Sequence, residues 1–337
     1  MINRNKLTVQ QQDFYNGIVS ALQKTEKKIT IPRIIDREEA KELFSLVGDN
    51  EVELFYVNFS SYSIGSGFGG SYLQIEYFYG KNEIQRKQML LNEKKNEILR
   101  GYHGSSDVEA TEYVHDYIAN TVRYDFAASN RKDVGKAATI EGVLLEEMAV
   151  CIGIARTARY LLKALGVNSL VVCGTSLSEE EDVFTMGDEN HAWNLNILSS
   201  GAYHMDITWD IKEASPLMTV LHKYCNIDEG MAIEKHDWDM VQYPRAVKNE
   251  ANYYVRRGLY FRNRQSLLKY TKTCFEQKKH EIDFCLDPCA GFPDDHGNAL
   301  VQQIMNQSLT ITGGKRVNLR YLYDDRLLIV TILLEYE

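Results

Sequence analysis

The order of patterns along the chain predicts an α+β fold, on three observations. Helical periodicity over 84–101, 107–122 and 150–165 precedes strand patterns at 169–174, 192–198 and 202–208, without the regular β–α alternation of a doubly wound sheet. A helix, strand, helix, strand, strand order occurs at the N-terminal end and again at the C-terminal end. The length of 337 residues, 44% of them hydrophobic, suffices for two or three units with sizeable cores. The expected organisation is a middle unit over 84–245 between two smaller α+β units, 1–83 and 246–337.

At the start, Phe14, Ile18 and Leu22 recur at helical spacing over 10–24. A strand over 28–35 and a helix over 37–46 follow. Two runs rich in tyrosine and valine, 51–60 and 71–79, then read as strands around a glycine-rich loop. In the middle unit, Val114, Ile118 and Val122 mark one helix face, and Gly166 is placed to terminate the helix over 150–165. The C-terminal unit reads as a helix over 266–275, a strand over 281–286 and a helix over 298–307. A hairpin of 317–323 and 327–336 turns at Asp324-Asp325. Its last strand, LLIVTILLEY, is so apolar that a central or deeply packed place is expected.

Charge and composition exclude several classes. With 38 basic against 47 acidic residues the net charge is -9, so no basic footprint for nucleic acid or anionic lipid exists at the whole-chain level. No uncharged apolar stretch reaches the length of a membrane span. The opening residues carry no apolar signal-peptide core. Only 5 Pro and 22 Gly exclude a collagenous or Pro/Gly-rich disordered chain. Six cysteines so widely spaced do not form a disulfide framework. The expectation is a cytoplasmic protein without nucleic acid, membrane or cofactor; the oligomeric state is open.

Three residues carry chemistry by context. Cys151 opens a helix, where the dipole and the free N–H groups favour thiolate. His191 begins the strand HAWNLNIL after a polar, acidic stretch. Asp206 lies fifteen residues on, in YHMDITWD. A short turn at 199–201 pairs the two strands and brings the carboxylate within reach of the imidazole. Each alone reads blandly, as a packed thiol, a surface imidazole and an edge carboxylate; together they form a nucleophile, a base and an orienting group.

The run VCIGIARTARYLLKALGV…VVCG, followed by NHAWNLNILSSGAYHMDITWD, resembles the catalytic core of the transglutaminase-like superfamily, with HAWN and D-x-T-W-D as its specific parts. The resemblance covers roughly 108–210 and implies a papain-like core between accessory units. It implies Cys151 as nucleophile, His191 as general base and acid, and Asp206 as orienting carboxylate, with Trp193 and Trp209 packed around them. Weaker matches are YDF at 124–126, and Tyr224, Asn226, Asp228, His236 and Asn252 to Tyr254 downstream. Ala149 and Gly153-Ile154 depart from the family's usual glycine and Gly-Tyr without removing a catalytic group. The Cys151 N–H is one oxyanion donor; Leu145 stands where papain-like enzymes have glutamine, and Tyr124 is the candidate for that role. The resemblance implies a cysteine peptidase or amidase that acts on a protein or peptide. A protein transglutaminase, an N-glycanase-like hydrolase (whose zinc-binding Cys-x-x-Cys pairs are absent) and a non-catalytic peptide-binding scaffold are the alternatives.

Other signals are weaker. Gly65, Gly67 and Gly70 spell G-x-G-x-x-G, but a strand pattern follows where a phosphate-binding helix is needed. His204 shares a strand face with Asp206 and rivals His191, either as acid and base or as a metal ligand paired with Asp206. His280, Cys285, Cys289 and His296 have metal-like composition without zinc-motif spacing. SEEED at 178–182 lacks EF-hand spacing and reads as a solvated loop. Arg256, Arg257, Arg262 and Arg264 read as a solvated basic face.

Overall fold

A computed structural model of the chain describes residues 4–31, 35–67, 70–131, 133–177, 190–290, 298–311 and 317–336. The N-terminal unit consists of α1 (Val9–Gln23), β1 (Lys28–Ile31), α2 (Arg37–Asn50), β2 (Val57–Gly67) and β3 (Gly70–Tyr77). Its sheet has the order β1-β3-β2, antiparallel throughout. The predicted strand at 51 starts six residues late. Residues 51–56 instead form turns closed by Leu54 N–H to Glu51 O and Val57 N–H to Leu54 O. Val52, Leu54, Phe55 and Tyr56 are buried there, so packing alone satisfies the apolar run. Gly65 and Gly67 lie within β2 and Gly70 opens β3 with φ +118°. The glycine motif therefore belongs to a hairpin and has no helix N-terminus for a phosphate.

The middle region begins with two helices, α3 (Lys81–Arg100) and α4 (Asp107–Thr121). A reciprocal Ser106/Glu109 capping box starts α4, and the apolar stripe Ala110, Val114, Ile118 turns it toward the core. Short elements follow: β4 (Arg123–Tyr124), α5 (Phe126–Ser129), α6 (Ile140–Leu144) and β5 (Met148–Ala149), with β4 and β5 paired in parallel. The helix α7 (Cys151–Ala164) ends as predicted at Gly166, whose φ is +81°. Val167 N–H to Leu162 O and Gly166 N–H to Lys163 O close a Schellman turn. Next come β6 (Asn168–Ser176), β7 (Asn190–Leu198), β8 (Gly201–Met205), α8 (Glu229–Ala232) and β9 (His236–Asp237), forming a sheet of order β8-β7-β6-β9. The acidic run at 178–182 lies outside the described residues.

The C-terminal unit holds α9 (Tyr253–Arg256), β10 (Tyr260–Phe261), α10 (Arg264–Glu276), β11 (Glu281–Leu286), α11 (Asn298–Ile311), β12 (Val317–Asp324) and β13 (Ile329–Tyr336). From α10 onward it repeats the N-terminal connectivity. In each unit the last strand is central, antiparallel to the other two, as β1-β3-β2 and β11-β13-β12. The apolar β13 thus takes its predicted central place. The parallel strand β10 extends this second sheet.

One continuous apolar core joins α1, α2 and β3 to α3, α4, α6 and α7. A second core lies inside the C-terminal unit, and a third, around Trp193, Trp238 and Tyr254, joins that unit's strands to β6–β8. No helix among the described residues is long and apolar enough to cross a membrane.

Candidate active site

The thiol stands where α7 begins. Val150, at the N-cap, supplies no side-chain acceptor, so the positive end of the helix at Cys151 is not capped by its own N-cap residue. Gly153 permits this placement: a Cβ there would sit 2.1 Å from the Ala137 carbonyl oxygen. Of the other cysteines, Cys225, Cys274 and Cys285 are buried, and burial pushes each thiol pKa up. Cys173, on β6, is pushed up by burial and by Asp49. Cys151 is partly exposed.

His191 Nε2 lies 2.6 Å from Asp206 Oδ2, with both side chains buried. The ring also hydrogen-bonds Cys151, leaving Nδ1 as the nitrogen for the thiol. Burial opposes a charge on His191, but the Asp206 carboxylate and the hydrogen bonds to Asp206 and Cys151 prevail and raise its pKa to about 10. Asp206 is in turn held well below the usual carboxylate range: burial works against its charge, and the two imidazoles facing it outweigh that. Its second oxygen accepts the Thr208 N–H at 3.0 Å. The indole of Trp209 stacks on His191 at 5.0 Å and 12°, and Trp193 lies on it at 5.8 Å and 25°.

The route to this geometry differs from direct cross-strand pairing. In the β7/β8 ladder Asn194 faces Met205, and β8 ends there. Asp206 lies past the strand as N-cap of the 3₁₀ turn Ile207–Asp210, two ladder positions from a place opposite His191. The carboxylate reaches the imidazole from the strand end.

Tyr124, on β4, hydrogen-bonds both the thiol and the backbone N–H of Cys151, and burial, then Cys151, raise its pKa. His204 does not join the site. Its Nδ1 accepts the Trp193 indole N–H at 3.0 Å, it packs edge-on against Trp238, and burial, aided by nearby His236, lowers its pKa to about 3. The second imidazole on Asp206 is His236, supplied by β9, with Nε2 2.9 Å from the same Oδ2 and Nδ1 3.1 Å from the Ala232 carbonyl oxygen. Both ring nitrogens face acceptors, yet burial lowers the His236 pKa despite Asp206. Neutral His236 then donates to only one of them. Gly174 admits β9: a Cβ there would stand 2.2 Å from the Asp237 carbonyl oxygen. In the sequence His236 belongs only to the weaker downstream matches; two residues of β9 pairing with Thr175 and Ser176, about sixty positions earlier, leave no periodic signal.

The remaining candidates have structural partners. Asp228 and Asn252 cap α8 and α9, Asn226 Nδ2 donates to Thr111 Oγ1 at 2.7 Å, and Tyr224 packs edge-on against Trp209. Arg256 and Arg257 both pair with Glu112, Arg262 with Asp287, and Arg264 donates to Gln303. Cys285 is buried on β11, Cys289 is exposed and His296 lies outside the described residues. Among the described residues, metal-type donors converge in two other places: His191, Asp206 and His236, and His115, Asp116 and His222.

Residues 94–207 match the model of the Transglutaminase-like superfamily. No curated protein sequence matches the chain. Among solved structures, a crystal structure of a TGase is similar at 16% identity and a TM-score of 0.30, over 54% of this chain and 50% of that one. A Cytophaga hutchinsonii protein designated a cysteine protease is similar at 13% identity and a TM-score of 0.28, over 45% of this chain and 63% of that one. The chain therefore spans between half and two thirds of the structures it matches.

Proposed function

We propose that this chain, which carries a core of the transglutaminase-like superfamily, is a thiol hydrolase that cleaves an amide bond in a protein or peptide through an acyl-enzyme on Cys151. The observation that carries this reading is the hydrogen-bonded line from the Cys151 thiol through the His191 ring to Asp206, at the open end of α7. His191 takes the thiol proton, and the Asp206 carboxylate holds the resulting imidazolium. The sulfur attacks the amide carbon and the carbonyl oxygen takes the negative charge. The Cys151 N–H and the Tyr124 hydroxyl, which meet each other in the free site, would turn to receive it. As the C–N bond breaks, His191 gives its proton to the leaving amine. Water, deprotonated by the same ring, then releases the acid and restores the thiol. If an amine takes the place of water, the same steps make an isopeptide bond.

The reading is tested by alkylation. Iodoacetamide labelling at pH 6, quantified per cysteine by mass spectrometry, should be fastest at Cys151 and should slow to the rate of an ordinary thiol in His191→Ala. Equal rates at Cys151 and at exposed Cys289 would overturn it. Incubating a peptide library with and without a primary amine then separates hydrolysis from acyl transfer by product mass.

A further inference from the structure

A second convergence of donors lies away from the thiol. On α4, His115 Nδ1 stands 3.0 Å from Asp116 Oδ1, and His222 Nε2 stands 2.9 Å from that same oxygen. All three donor atoms fall within 4.8 Å of one another. The other nitrogen of His115, Nε2, faces Asp210 Oδ2 at 3.1 Å. Asp210 is itself fixed by the backbone N–H groups of Lys223 and Tyr224, at 3.1 and 2.9 Å. A carboxylate behind the outer nitrogen of an imidazole is the arrangement that orients a histidine as a metal ligand.

Charge and access point the same way. Asp116 and Asp210 bring two negative charges, while the nearby guanidinium groups of Arg256 and Arg257 are both engaged by Glu112. Asp210 is buried, but the Asp116 side chain is 44% exposed and lines a cleft of about 460 Å³ together with Glu109, Glu112, Arg256 and Arg257. A divalent ion would take the place of the proton that the His115 ring shares with Asp116 and keep open positions toward that cleft.

We propose that His115 Nδ1, Asp116 Oδ1 and His222 Nε2 form a binding site for a first-row divalent transition-metal ion. The two pairs that share Asp116, each about 3 Å apart, would subtend roughly 90° at an ion about 2.1 Å from every donor, the angle of neighbouring ligands in an octahedral site rather than of closed tetrahedral zinc. Binding replaces any proton on His115 Nδ1 and His222 Nε2 and leaves His115 Nε2–H donating to Asp210. His222 Nδ1 is buried without a protein partner, so only one of the two imidazoles is braced. The ion is therefore held roughly 10- to 100-fold more weakly than in a fully braced site. Asp210 ends the same 3₁₀ turn that Asp206 begins, so the ion would stiffen the segment that presents the orienting carboxylate.

Calorimetric titration of the full chain with Co²⁺ and with Zn²⁺ tests the site, with Cys151→Ala run in parallel to exclude binding through the reactive thiol. One equivalent bound by both proteins, weakened at least about tenfold in Asp116→Asn and in His222→Gln, is the expected result. Far-UV circular dichroism and Cys151 alkylation should stay unchanged in those two variants, which separates lost ligands from lost fold. Binding that survives both substitutions and disappears in His236→Gln would move the ion to Asp206 and overturn the proposal. Saturation absent at millimolar metal would overturn it too, leaving a hydrogen-bonded network of imidazole and carboxylate.

Discussion

The chain builds one small motif twice. Asp206 Oδ2 receives ring nitrogens from His191 and His236, and Asp116 Oδ1 receives ring nitrogens from His115 and His222. The two differ in what stands behind the rings. In the first, the outer nitrogen of His191 faces a thiol and the carboxylate is sealed from water. In the second, the outer nitrogen of His115 faces another buried carboxylate, and Asp116 is open to solvent. A proton shared with a thiol can move to a leaving group; one caught between two carboxylates has nowhere useful to go. On the two proposals above, the same residue types would serve proton transfer in one place and cation capture in the other, with the partner of the outer nitrogen deciding which.

The sharpest way to break this comparison is to neutralise each carboxylate in turn. Asp206→Asn should slow substrate turnover by about 10⁴-fold, because an amide cannot hold the imidazolium or its tautomer. Asp116→Asn should leave turnover and Cys151 alkylation within about twofold, a change of less than 0.5 kcal/mol in activation free energy. Equal losses would mean that the two clusters work as one network through the 206–210 turn.

A smaller effect is expected from the glycine that seats β9. An alanine at Gly174 would press on the Asp237 carbonyl oxygen and on the Trp193 ring, whose Cη2 is 2.8 Å from the built Cβ. Gly174→Ala should part β9 from β6 and draw His236 off Asp206, reducing Cys151 alkylation roughly 10- to 100-fold, as for loss of an outer-shell partner. His236→Gln, which leaves β9 in place, should fall at the lower end of that range. Co²⁺ titration in Gly174→Ala should match the wild type, since the atoms an added Cβ would meet belong to Asp237, Trp193 and Trp238 and to none of the three proposed ligands. Loss of both properties would signal general unfolding instead.

These two clusters were not equally legible in the sequence. Cys151 opens a helix, His191 stands near the start of one hairpin strand and Asp206 directly follows the other, so local spacing already brings the last two close. The longer helices and the αβαββ order of both end units were legible for the same reason, since periodicity records burial of one face, although α2 and α11 each run four residues past their expected ends. What local spacing cannot record is a meeting made by distant, irregular segments. His236 arrives on a two-residue strand, and His222 on a loop 106 residues from Asp116. The late start of β2 is a related case: Val52, Leu54 and Phe55 are apolar because a turn packs them, and a buried turn and a buried strand need the same side chains. His204 was misleading because alternation put it on the Asp206 side of a strand that in fact stops at Met205.

The smallest expected effect is on stability, and it divides the two imidazoles of the first cluster. His191 has a folded pKa raised from 6.5 to about 10, with Asp206 overcoming burial. Its charge therefore stabilises the fold fully below pH 6.5, and that contribution is lost as the pH rises through about 10. His236 is lowered by burial, so the unfolded chain binds its proton more readily, and stability falls as the pH drops below 6.5. One site with two such rings should be most stable near pH 6.5. Denaturant unfolding at several pH values should give a decline of up to about 2 kcal/mol between pH 6.5 and 8 from His191 alone. His191→Gln should flatten that alkaline limb down to the share left by His115, which is raised to about 9: burial opposes its charge and the carboxylates of Asp116 and Asp210 outweigh burial. His236→Gln should flatten the acid limb down to the share of buried His204. An alkaline limb unchanged in His191→Gln would mean that the imidazolium is not held by Asp206, and the distinction between the two clusters would lose its electrostatic basis.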